Sequence, residues 1–501
     1  MSQDPTFELI QSLSPNEKRF FRLQSGEEKN YLHVFDALDA MKEYDAEALR
    51  KKLRKKNLNI SYEKNYLYNQ ILKSLRIYHT EANVKSKARA ALDYVDVLLQ
   101  KGLFDQALKV VKKNESIFEL YENFSNIVAL HDYEEAILHR IGSLSTQSVS
   151  DAFYKKRTDV LERYQNMVEY RILERQMINL NHLSQFSIQK DKLQKIKKHR
   201  LVLENRALSF DAKFRFFQVS AMIAIYEHDY KKEAFYFKEI IALINRHPEI
   251  KEAYYKVYYF SALHNFANAC LSAGDYDEMA KTVDELKELD AAMNYKDANL
   301  HSFRLMDEAG LHTETGDLQK FAKLIPEMEA ALKKFPFLPG YNKSLLIYAT
   351  AMAYFICEDY RGCIKTLQNL IVEMMNSEYK DRQAFSRIML LVSYYEMGRF
   401  DMIDYVLNST QRFLKRNDRY FKTEKTLLDF FRNAVRDHNI SKSDFEKLKQ
   451  ALVLIFKDKD EASLLFLFDF IAWIDSKLLN VPFVKVVAAK AAAANTSIYK
   501  E

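Results

Sequence analysis

Residues 273–280 read AGDYDEMA, a short turn-like segment that recurs along the chain. Related segments are KGLFDQA at 101–107, EHDYKKEA at 227–234, TGDLQKFA at 315–322, CEDYRGCI at 357–364 and MGRFDMID at 397–404. The position of Gly274, called here the turn position, is occupied in the other segments by Gly102, His228, Gly316, Glu358 and Gly398. From His228 onward these residues are 46, 42, 42 and 40 apart, and a fixed period of this size is the sign of a solenoid.

Two further columns follow the same period. The residue two places after the turn position is always large and apolar: Phe104, Tyr230, Tyr276, Leu318, Tyr360 and Phe400. The residue seven places before it is small or aliphatic: Val95, Ala221, Ala267, Ala309, Ala351 and Leu391. Small residues at a fixed position allow two helices to approach closely. Each unit is therefore predicted to be a helical hairpin that buries its apolar stripe against its neighbours.

The composition favours the same fold class. Only 9 of 501 residues are Gly and 7 are Pro, too few for the turns of a β-sandwich, a barrel or an alternating α/β fold. The predicted architecture is all-α, an α-solenoid of helical hairpins with a period of about 42 residues and an N-terminal helical cap. We divide the chain into an N-terminal helical domain at 1–90, repeats at 91–480 and an alanine-rich tail at 481–501. For the tail, a short helix and disorder both remain open.

The sequence contains little that points to an enzyme or to a cofactor. Phosphate-binding glycine loops are absent, and the nucleophile elbow G-x-S-x-G is absent. The nearest approach to a metal site is Glu135 and His139, one helical turn apart, for which an exposed helix face is the favoured interpretation. No catalytic residue, metal or cofactor is expected.

The expected location is the cytoplasm. Three cysteines at irregular spacing indicate a reducing compartment, and the first residues lack the pattern of a signal peptide. The most apolar run, SLLFLFDFIAWI at 463–474, has 12 residues, whereas a membrane span needs about 20. This run is predicted to be a buried helix, and no membrane span is expected.

The turn segments and the alanine column resemble the tetratricopeptide repeat (TPR) family, over about residues 91–477. The match is degenerate, because the family period is 34 residues and its tryptophan and closing proline columns are missing here. The resemblance implies that the first helix of each hairpin lines a groove for an extended peptide or a partner helix. The groove residues that it implies are Arg215, Gln218, His264, Asn268, Tyr348, Met352 and Tyr395.

Asn265 and Asn268 lie where carboxylate-clamp members of that family place asparagines. An asparagine amide can pair with both the N–H and the C=O of a peptide backbone. The basic residues that complete a clamp are not in the matching positions, so a C-terminal carboxylate ligand is doubtful. Binding of a protein or peptide and simple solvation of the helix surface remain equally open for these two asparagines.

A basic cluster in the N-terminal domain supports a second hypothesis. It consists of Arg50, Lys51, Lys52, Arg54, Lys55 and Lys56. Such a cluster can neutralise phosphates, although a solvated helix face is more common. The leading interpretation is a non-catalytic scaffold or adaptor that binds a protein partner. The alternative is a peptide-responsive regulator whose basic N-terminal domain contacts nucleic acid or a regulated protein.

Overall fold

The computed structural model describes residues 4–26, 29–54, 58–82, 84–182, 190–248, 258–375, 380–417, 420–437, 440–458, 461 and 468–498. Across these residues the chain is helical and contains no strand. The predicted all-α solenoid of helical hairpins is confirmed. No helix in the described ranges combines the length and the apolar character needed to cross a bilayer.

The chain divides into two compact units, residues 1–164 and 165–501, and the division falls within the ninth helix. The first eight helices belong to the first unit, in which residues 91–164 group with the predicted cap. Their bounds are α1 Pro5–Ser12, α2 Pro15–Ser25, α3 Asn30–Asp39, α4 Ala46–Leu53, α5 Ile60–Ala82, α6 Val84–Gln100, α7 Phe104–Leu120 and α8 Phe124–Arg140. Helix α9 spans Gln147–His182.

The second unit continues with short helices and then six hairpins. The short helices are α10 Lys190–Lys197 and α11 Arg200–Glu204. The hairpins are α12 Phe210–Glu227 with α13 Tyr230–Asn245, α14 Phe260–Ala273 with α15 Tyr276–Ala292, α16 Ala298–Thr315 with α17 Leu318–Lys334, α18 Gly340–Ile356 with α19 Tyr360–Glu373, α20 Lys380–Glu396 with α21 Phe400–Arg416, and α22 Lys422–Asp437 with α23 Lys442–Ile455. A final pair, α24 Phe470–Leu479 and α25 Phe483–Ile498, is called here the C-terminal helix pair.

The six turn positions share one backbone conformation. Gly102, Gly274, Gly316 and Gly398 have φ between 66° and 77°, and His228 and Glu358 adopt the same left-handed region at 56° and 60°. Each second helix begins at the large apolar residue two places later, from Phe104 to Phe400. The register predicted from the sequence is therefore confirmed at every readable turn.

In four of these turns, the residue after the turn position is an aspartate that caps the second helix. Asp229, Asp275, Asp317 and Asp359 are the N-caps of the second helices, and each carboxylate accepts a hydrogen bond from the backbone N–H three residues later, at 3.0–3.2 Å. A left-handed C-cap followed at once by an aspartate N-cap satisfies backbone groups at the ends of both helices. This pairing explains why so few glycines and prolines suffice for so many reversals.

The alanine column lies where the helices meet. Ala221, Ala267 and Ala351 are fully buried, and Ala309 is nearly so. Consecutive hairpins contact each other, and the first helices also contact one another, α14 against α16 and α16 against α18. We call the surface formed by α12, α14, α16, α18, α20 and α22 the first-helix face.

Replacing Glu358 by glycine is expected to stabilise the second unit. A non-glycine residue pays about 1–2 kcal/mol in the left-handed region, and glycine loses about 0.5–1 kcal/mol in extra chain entropy. We expect Glu358→Gly to raise the free energy of unfolding by about 0.5–1 kcal/mol, measured by urea unfolding. Glu358→Ala keeps the backbone strain, so a glycine variant no more stable than this control would contradict the assignment.

Candidate functional site: the first-helix face

The polar part of the first-helix face centres on a hydrogen-bonded cluster between α14 and α16. Asp307 is 2% exposed, and its Oδ1 lies 2.7 Å from His264 Nδ1. The Asn268 amide donates to the same oxygen at 3.1 Å and to the His264 carbonyl at 2.8 Å. The His264 ring also stacks on Phe303, with 4.3 Å between centroids and 8° between planes. Two predicted groove residues are thus fixed in orientation by one buried carboxylate.

Burial raises the pKa of Asp307, because a carboxylate is poorly solvated in this environment. The hydrogen bonds from His264 and Asn268 act in the opposite direction. The second oxygen, Oδ2, is buried and has no hydrogen-bond partner. The ionised form of Asp307 therefore depends on His264 and Asn268.

The variant His264→Phe tests this dependence. Phenylalanine keeps the stack on Phe303 but removes one of the two hydrogen-bond partners of Asp307, so we expect a loss of about 1–3 kcal/mol in unfolding free energy at pH 7. The loss should be smaller near pH 4: burial raises the pKa of Asp307, so the neutral acid prevails as pH falls, and the neutral acid loses less than the carboxylate when a hydrogen-bond partner is removed. Urea unfolding at both pH values measures the difference.

Equal losses at the two pH values would contradict the assignment of an ionised Asp307. Asn265→Ala is the matched control on the same helix. Asn265 is half-buried, so this change should alter stability by less than about 0.5 kcal/mol.

Arg215 on α12 is engaged within the protein. Its guanidinium pairs with Glu174, lies 3.4 Å from Asp211, and donates to the Tyr258 hydroxyl at 3.0 Å. Burial opposes the charged form, but Asp211 and Glu174 outweigh it, so the pKa of Arg215 is raised. Two carboxylates therefore balance the charge of this arginine, whose side chain is 14% exposed. Gln218, one turn further along α12, is half-buried.

The predicted groove residues of the later hairpins lie in an apolar region. Tyr348 on α18 is 8% exposed and meets Phe385 edge to face at 5.8 Å. Met352 packs against the same hydrophobic cluster, and so does Tyr395 on α20. The face is therefore polar over α12 and α14 and apolar over α18, α20 and α22. These regions are called the polar half and the apolar half.

The C-terminal helix pair covers the apolar half. Phe468, just before α24, meets Phe355 of α18 at 5.3 Å, and Phe470 meets Phe385 of α20 at 5.9 Å. Helix α25 returns along α16, where Val484 joins the core. The run at 463–474 thus includes buried helical residues from Phe470 onward, while residues 463–467 lie outside the described ranges. The alanine-rich tail forms α25 as far as Ile498.

Trp473 anchors this pair. It is fully buried within four aromatic rings at centroid distances of 5.7–6.3 Å, supplied by Tyr395, Phe430, Phe431 and Phe445. Its indole N–H donates to Glu396 Oε1 at 2.6 Å, and Lys477 Nζ donates to Glu396 Oε2 at 2.5 Å. Sequence reasoning missed these contacts, because they join residues about 30 to 80 positions apart.

Glu115, His131 and Glu134 in the first unit could supply three ligands to a metal ion. The Lys156 ammonium lies 2.7 Å from Glu115 and 3.0 Å from Glu134, where it provides the positive charge itself. Burial favours the neutral acid, yet hydrogen bonds from His131 and Lys156 lower the pKa of Glu115.

The residues that the sequence singled out beside this cluster do not form one site. Glu135 pairs with Arg157 at 2.8 Å and accepts a hydrogen bond from Tyr154 at 2.7 Å. The Glu135 carboxylate is therefore paired with an arginine of α9. His139 does not belong to the group of Glu115, His131 and Glu134.

The basic cluster lies on α4 and just beyond it. Arg50, Lys51, Lys52 and Arg54 are exposed, and Leu49 and Leu53 turn the opposite side of the helix into the core. None of the four forms an ion pair with a residue in the described ranges. Lys55 and Lys56 lie outside those ranges. Three of these charges thus lie on α4 and the fourth, Arg54, at its C-cap, all without an ion-pair partner in the described ranges.

Comparisons with known proteins find similarity among solved structures. No family model matches the chain. No curated protein matches it either. Among solved structures, the chain is similar to the crystal structure of a signal transduction ATPase with numerous domains (STAND) that carries a tetratricopeptide repeat sensor, from Pyrococcus horikoshii. The identity is 14%, the match covers 87% of this chain and 68% of that chain, and the TM-score is 0.38.

Proposed function

We propose that this protein is a non-catalytic, TPR-like interaction scaffold or adaptor that binds a peptide or helix of a protein partner along its first-helix face. The observation that carries the proposal is the set of polar side chains on the polar half. Gln218, His264, Asn265 and Asn268 lie on two successive first helices, and all four keep part of their surface exposed. Extended concave surfaces of stacked helices are used in this way by repeat proteins.

The local chemistry of the polar half suits a peptide backbone. Amide side chains both donate and accept hydrogen bonds, and the His264 ring is held in place by Asp307. Arg215 is neutralised by Glu174 and Asp211, so this half carries no free arginine charge to select an acidic ligand. A largely neutral peptide segment is therefore the ligand that fits best.

Catalysis is not part of the proposal. The most suggestive polar group is the pair His264 and Asp307, in which a carboxylate orients an imidazole. Asn268 completes that group, and its amide contributes no nucleophile. The pair therefore serves to hold a binding surface.

Affinity capture tests this proposal. The tagged full chain is compared with the double variant Gln218→Ala and Asn265→Ala, using nuclease-treated lysate of the native host and quantifying bound protein by mass spectrometry. We expect the wild type to retain a partner protein in stoichiometric amount. The double variant should capture at least about tenfold less of that protein, which corresponds to the loss of two modest contacts.

Lys281→Ala is the control, because Lys281 is exposed on the second helix α15. It should capture as much partner as the wild type. Equal capture by all three chains, or no stoichiometric protein with any of them, would refute binding at the polar half.

The exposed basic residues of α4 and its C-cap favour a second candidate, a peptide-responsive regulator that contacts nucleic acid. If it is correct, the chain binds duplex DNA with an affinity whose logarithm falls by about 0.9 per contacted phosphate for each tenfold rise in salt. The triple variant Arg50→Glu, Lys51→Glu and Lys52→Glu should then lose DNA binding in a gel-shift titration. Under the scaffold proposal, the same variant captures protein as the wild type does, and DNA binding is absent from both.

A further inference from the structure

The C-terminal helix pair has the features of a ligand seated in a binding site. Trp473 fills an aromatic cage, and its N–H and the Lys477 ammonium both reach one carboxylate, Glu396. Large aromatic side chains in well-packed pockets, accompanied by a desolvated polar contact, are the usual hot spots of helix recognition. Trp473 and Lys477 are four residues apart and so project from one side of α24.

The surface beneath α24 is complementary to a helix that carries an aromatic and a cationic side chain. Phe355, Phe385 and Tyr395 present aromatic surface on two successive first helices, which water would solvate poorly. Glu396 is 8% exposed and receives its cationic partner from the helix pair. If the helix pair left the face without a replacement, aromatic surface would be hydrated and a buried carboxylate would lose its counterion.

The return helix α25 is anchored through its first turns. A Cβ atom at Gly316 would lie 2.6 Å from Ala488 Cβ, so a small residue is needed on each side. Besides this contact, Phe483 meets Phe355 at 5.9 Å, and Val484 and Val487 are buried. Lys490 pairs with Asp469 of the same helix pair at 3.0 Å. The later turns are alanine-rich, and Ala489, Ala492 and Ala493 are exposed, so these turns add little to the anchoring by α24.

We infer that the apolar half is a docking site for a partner helix that carries an aromatic residue and, four residues later, a lysine or arginine, and that the C-terminal helix pair occupies this site as an exchangeable internal ligand. The inference extends the proposed function to a second region of the same face. It assigns Tyr395, Glu396 and Phe385 to recognition and makes the helix pair a competitor of the partner.

The test uses the single tryptophan of the chain. The full chain carrying W473F has no tryptophan and has lost one hydrogen bond to Glu396, whereas phenylalanine keeps the cage filled. A synthetic peptide of residues 468–498 then supplies the only indole. We expect its emission to shift to shorter wavelength and to saturate on titration with the W473F chain, as the indole leaves water for the aromatic cage.

Three comparisons make the test specific. The reference is the affinity of the natural peptide for the W473F chain. A K477E peptide should bind the W473F chain at least tenfold more weakly than this. The natural peptide should likewise bind at least tenfold more weakly to a chain that carries both W473F and E396Q. A fluorescein-labelled peptide should bind the wild-type chain at least tenfold more weakly than the W473F chain, because the intact helix pair competes. The chain carrying W473F and Q218A should bind like the W473F chain, which separates this site from the polar half.

Absence of binding by the W473F chain, with its helical circular dichroism unchanged, would overturn the inference. Equal binding of the K477E and natural peptides would overturn it too, since contact with Glu396 would then contribute nothing. The result of partner capture by the polar-half variants does not affect this outcome, so failure of the proposed function and failure of this inference are distinguishable.

Discussion

The close approach of neighbouring helices at the alanine column is the constraint on which the rest of the structure depends. A single helical hairpin cannot bury its apolar stripe, and stacking is the only way to remove that stripe from water. Because Ala221, Ala267 and Ala351 are fully buried, the helices can come close enough for aromatic and aliphatic side chains on both sides to close the core. The first-helix face, with everything placed on it, follows from this spacing.

The first-helix face has two regions, because the hairpins contribute side chains of different polarity to it. Over α12 and α14 the side chains are polar, and buried carboxylates on neighbouring helices hold them in place, Asp307 for His264 and Glu174 for Arg215. Over α18 and α20 they are aromatic and covered by the chain's own C-terminal residues. One repeat architecture thus carries two surfaces of different chemistry, because the stacking contacts leave the outward positions free to vary.

The sequence predicted the features that repeat. The turns at Gly274 and its equivalents, the helical hairpins and the alanines at the close helix approaches all follow from a period visible in one chain. It did not predict the pairing of Arg215 with Glu174, nor the cage around Trp473, because these depend on contacts between residues about 30 to 80 positions apart that no periodic column records. Tyr348 and Tyr395 were assigned to the groove from their column, and the structure places a further layer of helix over that region.

The contact between Gly316 and Ala488 restricts the evolution of two distant positions. Gly274 and Gly398 have open space around the missing side chain, so any residue that tolerates a left-handed turn fits there. Gly316 must satisfy the same turn and also leave room for the tail helix. Any substitution at 316 would place a Cβ atom against the Ala488 side chain, so it requires a change at 488 as well. In an alignment of related chains, this pair would appear as a correlated column linking the middle of the array to its end.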